Sequence, residues 1–508
     1  MKFDPEMPPQ GTIRAWLDFR ADTQGQVTSH VFPDENGALS WAELRDAAAD
    51  IAMRLAAMGL AKGSSVALMM PNGRNAVLGF FGAVYGGFRA TMINLVAGAD
   101  AIGYALSHSG AGVAMVAESQ RDLLERALQS GNQLKVIIAG AGGFDWPADL
   151  TPAQPHPHGA GDDALLMYTS GTTGRPKGVL HSHSSLLAGG WTTATAHGLT
   201  DADRAMCVLP IYHINGLCVT VMAPLVSGGT SIICERFSAG RFWTCCEENG
   251  ATWFSVVPTI ISHLLHGEKT PDLATQARIR FGRSASAALA VEVQSAFEQR
   301  FGIPIVETMG LTETAAQILS NPLPPGLRKI GSPGRGVGNE VAIMDAKMHP
   351  LPPGMEGEIC IRGPNVMLGY LDNPEATAAT LTPDGWLRSG DLGRIDADGY
   401  VFVTGRLKEL IIKGGENIAP REIDEALYAH PDVIEAAAFA RKCARYGERV
   451  EAAVALRPGS TITMEDLARI CEARLGKFKS PDVIHLMAEL PKGPSGKIQR
   501  LRLADMIG

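Results

Sequence analysis

The sequence lacks the patterns that mark several common classes of protein. Its eight cysteines include no C-x-x-C pair and no Cys/His spacing of the kind that holds zinc. No apolar run approaches the ~18 uninterrupted residues of a membrane helix, and residues 1–16 lack the apolar core of a signal peptide. We therefore expect a reduced, cytoplasmic protein without a membrane span.

The sequence also lacks an excess of basic residues. Lys and Arg number 45, Asp and Glu number 53, and the formal net charge of −8 comes with no long basic run. Nucleic acid is therefore not an expected partner, because a phosphate backbone attracts clustered basic residues. Since single cores stop growing near about 250–300 residues, the 508-residue chain is expected to fold into at least two domains.

Apolar periodicity in the first third of the chain alternates between helix and strand. A capping box at Ser40 and Glu43 precedes a helical period over residues 44–60, and a buried strand is predicted at 65–70. Further elements are predicted as a helix at 75–85 and strands at 90–95, 113–116 and 134–139. This alternation is typical of parallel α/β sheets.

Later regions differ from this pattern. Residues 151–163 are rich in Pro, Gly and His, and we predict a loop there. From about Val341 short strands alternate with turns, and from Ile423 mixed elements return. The predicted fold class is therefore α/β, with a large N-terminal domain of α/β layers plus a β-rich module, and a small C-terminal α+β domain.

A loop rich in glycine and hydroxyl groups follows a strand-like run. The twelve residues 168–179 read YTSGTTGRPKGV, in which glycines let backbone N–H groups turn inward, hydroxyls add donors and Lys177 adds charge. These features predict a pyrophosphate site. The spacing is not that of the G-x-x-x-x-G-K-S/T loop, which disfavours an ordinary P-loop NTPase. A flexible surface turn is the alternative interpretation.

The same loop resembles the signature loop of the adenylate-forming (ANL) superfamily, which includes acyl-CoA synthetases, luciferases and nonribosomal-peptide adenylation domains. Four further segments resemble motifs of that family, in the same order: ETMGLTE at 307–313, GWLRSGDLG at 385–393, residues 405–427, and PKGPSGKIQR at 491–500. The resemblance spans about residues 165–500. Five motifs in order are specific together, although one alone would not be.

The resemblance implies an AMP-forming acid–CoA ligase, which joins a carboxylic acid to AMP and then passes the acyl group to the CoA thiol. ATP and CoA would be co-substrates, Mg²⁺ the cofactor, and the molecule a monomer or homodimer. The implied catalytic residues are Lys497, Glu313 and Lys177, and Mg²⁺ would lie at Thr172 and Glu313. The residues implied for ATP are Thr169, Ser170, Gly171, Thr172, Thr173, Gly174, Ser286, Glu307, Thr308, Met309, Thr312, Asp391 and Arg406.

Each of these roles has a plainer alternative. Glu313 could be a carboxylate at a helix start, Lys497 a solvated lysine, and Asp391 or Arg406 an ordinary surface charge. Position 309 departs from the family, because Met309 stands where a Tyr usually stacks on adenine. We expect ATP to bind. The contact that this departure affects is the stacking of a side chain on adenine.

The resemblance also implies that the C-terminal domain is mobile. An adenylation domain at 1–405 would be followed by a domain at 406–508 that turns about a hinge near Lys408 between the two half-reactions. The turn would withdraw Lys497 and bring in a glycine loop with room for the pantetheine arm of CoA. The residues implied for CoA are Gly414, Gly415 and Glu416.

The resemblance also implies an acid pocket that contains four residues: His213, Arg283, Ser284 and Gly310. Arg283 could pair with a second anionic group on the acid, carboxylate or sulfonate. Its alternative is an Arg that props a loop or points to solvent, and His213 could be a core histidine. Segments such as LPIYHINGL and RSASAAL look like the oxalyl-CoA synthetase branch of the family. We therefore favour a small anionic acid of the oxalate, malonate or sulfoacetate type.

Other interpretations stay open. The enzyme could be a medium-chain fatty or aryl acid–CoA ligase, a luciferase-like oxygenase, or an enzyme that loads a carrier protein. An oxygenase would need an apolar aromatic pocket, which Arg283 argues against. His181 and His183 have a spacing that metal ligands could use, but no third ligand accompanies them, and we predict a solvated turn there.

Overall fold

The computed structural model describes residues 1–128, 134–169, 175–493 and 498–507. The strands are β1 (Thr28–Phe32), β2 (Gly37–Ser40), β3 (Ser65–Met69), β4 (Arg89–Met92), β5 (Val113–Ala117), β6 (Lys135–Gly140), β7 (Gly143–Phe144), β8 (Asp163–Thr169), β9 (Lys177–Ser182), β10 (Arg204–Cys207), β11 (Thr230–Ile233), β12 (Trp253–Val256), β13 (Phe281–Ser284), β14 (Ile305–Leu311), β15 (Ala316–Ser320), β16 (Arg335–Gly336), β17 (Glu340–Met344), β18 (Gly357–Arg362), β19 (Gly369–Tyr370), β20 (Leu387–Ile395), β21 (Val401–Arg406), β22 (Ile411–Lys413), β23 (Glu416–Ile418), β24 (Val433–Cys443), β25 (Gly447–Leu456) and β26 (Val483–Leu486).

The α-helices are α1 (Ile13–Gln24), α2 (Trp41–Ala57), α3 (Arg74–Tyr85), α4 (Ala99–His108), α5 (Arg121–Ala127), α6 (His183–Ala196), α7 (Ala223–Ser227), α8 (Phe242–Glu248), α9 (Pro258–His266), α10 (Leu273–Arg278), α11 (Val291–Phe301), α12 (Pro374–Thr380), α13 (Pro420–Tyr428), α14 (Met464–Lys479) and α15 (Arg500–Met506). A π-helix spans Asn215–Met222, and short 3-10 helices span Pro33–Glu35, Glu118–Gln120 and Thr312–Thr314. None of the helices in the described ranges is long and apolar enough to cross a membrane.

Local signals in the sequence locate several elements after residue 40 well. The Ser40 hydroxyl accepts from the Glu43 N–H, and the Glu43 carboxylate accepts from the Ser40 N–H, so the predicted capping box starts α2. The strand predicted at 90–95 ends earlier, at Met92, because the chain then turns, with Ala97 N–H donating to the Asn94 carbonyl. The predicted strand–helix alternation is confirmed.

Two large sheets form the N-terminal part of the molecule. One has eight strands in the order β19-β9-β8-β4-β3-β5-β6-β7, and its five central strands are parallel. The other has nine strands in the order β16-β15-β14-β13-β12-β10-β11-β1-β2, with parallel pairing from β14 through to β1. Parallel strands carry helices on their faces and are buried on both sides, which explains the near-continuous apolar runs.

Two smaller sheets complete the fold. The antiparallel sheet β17-β18-β20-β21 is the predicted β-rich module, and the sheet β23-β22-β25-β24, with β26 paired to β25, forms the C-terminal part. Strand β21 is followed by a turn at Leu407 to Glu409, in which Glu409 N–H donates to the Arg406 carbonyl. The fold class predicted from the sequence is confirmed.

Polar contacts join the C-terminal part to helices of the nine-stranded sheet. The Ser262 hydroxyl on α9 donates to the Ile434 carbonyl at 3.0 Å, and Arg474 pairs with Glu292 at 3.2 Å across half-exposed side chains. Such exposed pairs contribute little free energy. Tyr428 of α13 also packs against the apolar cluster on this side of the nine-stranded sheet, so exposed polar pairs and an apolar contact together dock the two parts.

Candidate active site

The nine-stranded sheet ends, at the carboxyl edge of its parallel strands, in a cluster of polar side chains. Open α/β sheets bind ligands outside the carboxyl ends of their strands. At this edge β14 and β15 form a hairpin, and the 3-10 helix Thr312–Thr314 is its turn. This hairpin carries Glu313 on its turn and Gln317 on its returning strand. It therefore connects the two polar groups described next.

The first group is centred on Glu313. The Tyr370 hydroxyl donates to Glu313 Oε1 at 2.8 Å, and Lys177 Nζ lies 4.7 Å from the centre of the Tyr370 ring. Burial, followed by the Glu313 carboxylate, raises the pKa of Tyr370, so its hydroxyl stays a donor. The structure thus brings two of the predicted catalytic residues, Lys177 and Glu313, close to the same tyrosine.

The predicted phosphate loop joins β8 to β9. Thr169 is the last residue of β8 and lies opposite Lys177, the first residue of β9, in the antiparallel register. Five predicted ATP residues of this loop lie outside the described residues: Ser170, Gly171, Thr172, Thr173 and Gly174. Lys497 also lies outside the described residues.

The two histidines after the loop are structural. His181 Nε2 donates to the Thr312 carbonyl at 2.7 Å, which fixes β9 against the hairpin turn. His183 is the first residue of α6 and accepts from the Ile13 N–H through Nδ1. Both side chains are buried, so the prediction of a solvated turn was wrong. Burial lowers the pKa of His181 to about 4, which keeps it neutral.

The second group is centred on Arg283, which is 1% exposed on β13. Its Nε donates to Gln317 Oε1 at 3.0 Å, and its Nη1 donates to Asn215 Oδ1 at 2.7 Å and to Ser255 Oγ at 3.1 Å. A guanidinium has five N–H donors. The two on Nη2 therefore make no hydrogen bond to the described residues.

All three acceptors around Arg283 are neutral. No Asp or Glu among the described residues lies within ion-pair distance of it, although a buried charge is normally paired. Burial lowers the pKa of Arg283 to about 9, which leaves the side chain cationic at neutral pH. The site thus contains a buried cation without a protein counterion among the described residues.

Gln317 ties this cation to the α6 helix. Its Oε1 accepts from His197 Nε2 at 3.1 Å as well as from Arg283, and its Nε2 donates to the Thr192 carbonyl at 3.4 Å. Burial, followed by the charge of Arg283, lowers the pKa of His197 to about 3, so His197 is neutral. Gly310 lies opposite Gln317, where an added Cβ would be 1.7 Å from the Ala316 carbonyl oxygen. The predicted pocket glycine therefore permits the close approach of β14 and β15.

Ser284 and Glu307 form a separate pair. They are register partners on β13 and β14, and since successive residues of a strand face opposite sides, Ser284 faces away from the Arg283 network. The Ser284 hydroxyl and Glu307 Oε2 are buried without a hydrogen-bond partner among the described residues. Burial raises the pKa of Glu307. Thr308, the next residue, donates through Oγ1 to the Ser284 carbonyl at 3.2 Å.

Other predicted residues lie around these groups. His213 is partly exposed, but its Nε2 is buried and has no partner in the described part of the chain, and loss of hydration lowers its pKa to about 4. Ser286 has a φ of 73°, which is strained for a serine, and its Oγ accepts from Asn215 Nδ2 at 3.1 Å. Met309 is partly buried against the β-rich module and presents no aromatic ring.

The remaining predicted residues lie on the β-rich module and the C-terminal part. Asp391 Oδ1 pairs with Arg406 Nε at 2.9 Å across β20 and β21. Lys408 is exposed in the turn after β21. Gly414 and Gly415, with φ values of 62° and 88°, form the turn between β22 and β23, and Glu416 follows on β23.

Sequence reasoning did not identify Asn215, Gln317, Ser255 or Tyr370 as site residues. Asn215 lies in PIYHING and Tyr370 in the segment GYLDNPEAT, so the resembling segments contained them without assigning a role. Gln317 had one local signal, since it is a polar residue inside the apolar strand AQILS.

The residues present fit a magnesium ion bound through ATP. Among the described residues no group of three or more His, Cys, Asp or Glu could hold a metal without substrate. Glu313 supplies one carboxylate and makes no ion pair with a described residue. Mg²⁺ is commonly held by one or two carboxylates together with substrate phosphates. Glu313, which shares the neighbour Tyr370 with Lys177, matches that mode.

Comparison with known proteins places the chain in a family. Residues 17–371 match the model of the AMP-binding enzyme family, and residues 422–497 match the AMP-binding enzyme C-terminal domain. A sulfoacetate–CoA ligase of Cupriavidus necator is 44% identical over 504 residues, covering 97% of both chains. An oxalate–CoA ligase of Arabidopsis thaliana is 36% identical over 485 residues, covering 92% of this chain and 93% of that protein.

A solved structure has the same architecture. The crystal structure of ATP-bound MatB from Rhodopseudomonas palustris superposes with a TM-score of 0.89 at 30% identity, over 97% of this chain and 98% of that one. The predicted family, fold and enzyme class are thereby confirmed. The chain belongs to the AMP-binding enzyme family and is an AMP-forming acid–CoA ligase.

Proposed function

We propose that the acid activated by this ligase is a small one with a second anionic group, of the oxalate, malonate or sulfoacetate type. The observation that supports this is the buried guanidinium of Arg283, whose Nη2 has no hydrogen-bond partner and which has no acidic neighbour among the described residues. Relatives named for sulfoacetate and for oxalate support the same class of acid.

A buried cation without a counterion is unfavourable by several kcal/mol. A second anion on the substrate would supply the missing charge and accept the two N–H groups of Nη2, in a charge-assisted contact stronger than a neutral one. A long fatty chain would leave Arg283 unpaired and bury apolar carbon against it. The geometry therefore favours a short dianion over a fatty or aryl acid.

The reaction would proceed in two steps. One carboxylate oxygen of the acid attacks the α-phosphorus of ATP, forming acyl-AMP as the bond to pyrophosphate breaks. The CoA thiol then loses its proton and its sulfur attacks the acyl carbonyl, so that acyl-CoA forms and AMP leaves. Both steps rely on positioned charge. We assign Lys177 to the phosphates and Lys497 to the oxygens that react in the first step.

We further propose that Glu313, with Thr172, holds Mg²⁺ at the ATP phosphates, where the ion would neutralise phosphate charge. Tyr370 orients the Glu313 carboxylate by donating to Oε1. The pair Asp391 and Arg406 would lie at the ribose. In the second step, rotation about Lys408 would bring Gly414, Gly415 and Glu416 to the acyl-AMP.

Pyrophosphate release with ATP, Mg²⁺ and CoA tests the proposal. Oxalate, malonate and sulfoacetate are compared with acetate, octanoate and an aryl acid in wild type, Arg283→Ala and the control Arg236→Ala, which changes an exposed arginine. A dianion should lead, and Arg283→Ala should lower its kcat/KM by about 100-fold, since unpairing a buried charged contact costs about 2–5 kcal/mol. A lead by octanoate or the aryl acid would overturn the proposal.

A further inference from the structure

Asn215 uses both ends of its side-chain amide within the site. Its Oδ1 accepts from Arg283 Nη1 at 2.7 Å, and its Nδ2 donates to Ser286 Oγ at 3.1 Å. The orientation of the amide follows from chemistry, because only the oxygen can accept from a guanidinium. Asn215 therefore joins the buried cation to the turn that follows β13.

The backbone holds this amide in place. Asn215 is the first residue of the π-helix Asn215–Met222, an uncommon geometry that often marks functional sites. Gly216, the next residue, is packed so closely that an added Cβ would be 2.3 Å from the Pro210 carbonyl oxygen. The position of Asn215 relative to Arg283 is thus set by a segment with little freedom to move.

The three side chains that accept hydrogen bonds from Arg283 are all uncharged. Gln317, Asn215 and Ser255 fix the guanidinium in three directions without neutralising it. An Asp at position 215 would have nearly the same shape as the native Asn, but it would place a carboxylate oxygen at ion-pair distance from Arg283. The neutral amide keeps the positive charge available to a ligand.

We propose that Asn215 is a specificity-determining residue, which positions Arg283 and preserves its charge so that the pocket selects an acid with a second anionic group. This inference rests on the proposed function, since it requires that Arg283 bind the acid. It assigns the choice between dianionic and monoanionic acids to the neutral shell around Arg283 as well as to Arg283 itself.

The test compares sulfoacetate with acetate in wild type, Asn215→Asp and Asn94→Asp. Asn94 is a matched control, because its Oδ1 accepts from the Val96 N–H and an Asp there adds the same charge while keeping that bond. The ratio of kcat/KM for sulfoacetate over acetate should fall at least about tenfold in Asn215→Asp, through KM for sulfoacetate, because the new carboxylate replaces the substrate anion. Asn94→Asp should keep the wild-type ratio.

A second variant covers the case in which Asn215→Asp does not fold. Gln317→Glu places a carboxylate at the acceptor of Arg283 Nε and should lower the same ratio. An unchanged ratio in the folded variants, or an equal loss with both acids, would overturn the role of Asn215. A wild-type enzyme without a preference for sulfoacetate, oxalate or malonate over acetate would overturn the proposed function itself.

Discussion

Single side chains determine the charge pattern of this site. Arg283 is a cation held by neutral acceptors, and Glu313 is a carboxylate whose Oε1 accepts from a tyrosine. The two charges belong to two different hydrogen-bonded groups of the site. Each charge depends on neighbours that keep it oriented without cancelling it.

Replacing Tyr370 by Phe tests the support of Glu313. The variant removes the hydrogen bond to Oε1 but keeps the ring beside Lys177. We expect the KM for ATP, and the Mg²⁺ concentration for half-maximal rate, to rise about tenfold, because a hydrogen bond to a charged group contributes about 1.5–3 kcal/mol. Steady-state kinetics over ATP and Mg²⁺ measure both.

The control is Tyr85→Phe, in which the lost hydroxyl donates to Asp18 at the same distance of 2.8 Å. This pair lies on α1 and α3, where no site residue is predicted. A rise in the KM for ATP in Tyr85→Phe equal to that in Tyr370→Phe would contradict a specific role for Tyr370.

At the scale of single residues, the sequence identified the charged residues Arg283 and Glu313 but not the residues that form hydrogen bonds with them. Arg283 was predicted to meet a second anion, and its position agrees with that prediction without testing it. Its partners Asn215 and Gln317 lie 68 and 34 residues away along the chain, and Tyr370 lies 57 residues from Glu313. No local pattern links such positions, because the packing of separate helices, turns and strands brings them together.

At the scale of elements, the β14–β15 hairpin is the part on which both polar groups depend. Its turn carries Glu313, its returning strand carries Gln317, and Gly310 allows the two strands to approach closely. Ala315 and Ala316 have φ values of 44° and 78°, so the turn is strained as well as tight. A change in this hairpin should therefore affect both groups.

We expect Gly310→Ala to lower the free energy of unfolding by at least about 1–3 kcal/mol, because the new Cβ would overlap the Ala316 carbonyl. The displaced β15 should also move Gln317 and weaken the preference for a dianionic acid. Thermal unfolding and the sulfoacetate-to-acetate ratio measure the two effects. Gly140→Ala is the control, since a Cβ there meets no atom within 4 Å; equal effects in both variants would contradict this view of the hairpin.

Elements with local signals were predicted well, and those set by tertiary contacts were not. The capping box gave the start of α2, and the buried strands of the eight-stranded sheet were recognised by their apolar runs. The burial of His181 and His183 was missed because polar side chains give no periodic signal, and their partners come from the hairpin turn and from α1.

At the scale of the whole molecule, buried histidines make stability depend on pH. Loss of hydration lowers the pKa of four buried histidines and of the partly exposed His213 from 6.5 to about 3 or 4; the buried four are His30, His181, His183 and His197. Below pH 6.5 the unfolded chain binds protons that the folded chain excludes, so stability falls as the pH falls.

At pH 5 each of these histidines should lower the free energy of unfolding by about 2 kcal/mol relative to pH 7. Urea unfolding at pH 7 and pH 5 measures the sum. His30→Phe should reduce the pH dependence by about one histidine's share, because His30 lies among aromatic rings with an unpartnered Nε2. His349→Gln, which changes an exposed histidine, should leave the pH dependence unchanged. An unchanged pH dependence of stability in His30→Phe, or an equal reduction in His349→Gln, would contradict the account.

The division of the chain into parts was predictable from its length, whereas the docking of those parts was not. The predicted boundary at 405/406 falls at the end of β21, directly before the turn that contains Lys408, and it remains a prediction. Docking depends on scattered contacts such as Arg474 with Glu292, which no motif marks.

The central claim concerns which acid the enzyme selects, and a competition measures it most directly. The enzyme is incubated with ATP, Mg²⁺, CoA and an equimolar mixture of sulfoacetate, oxalate, malonate, acetate and octanoate, and the initial CoA thioesters are quantified by mass spectrometry. We predict that the thioester of a dianionic acid dominates. Dominance of acetyl-CoA or octanoyl-CoA would contradict the assignment of Arg283 to a second anionic group.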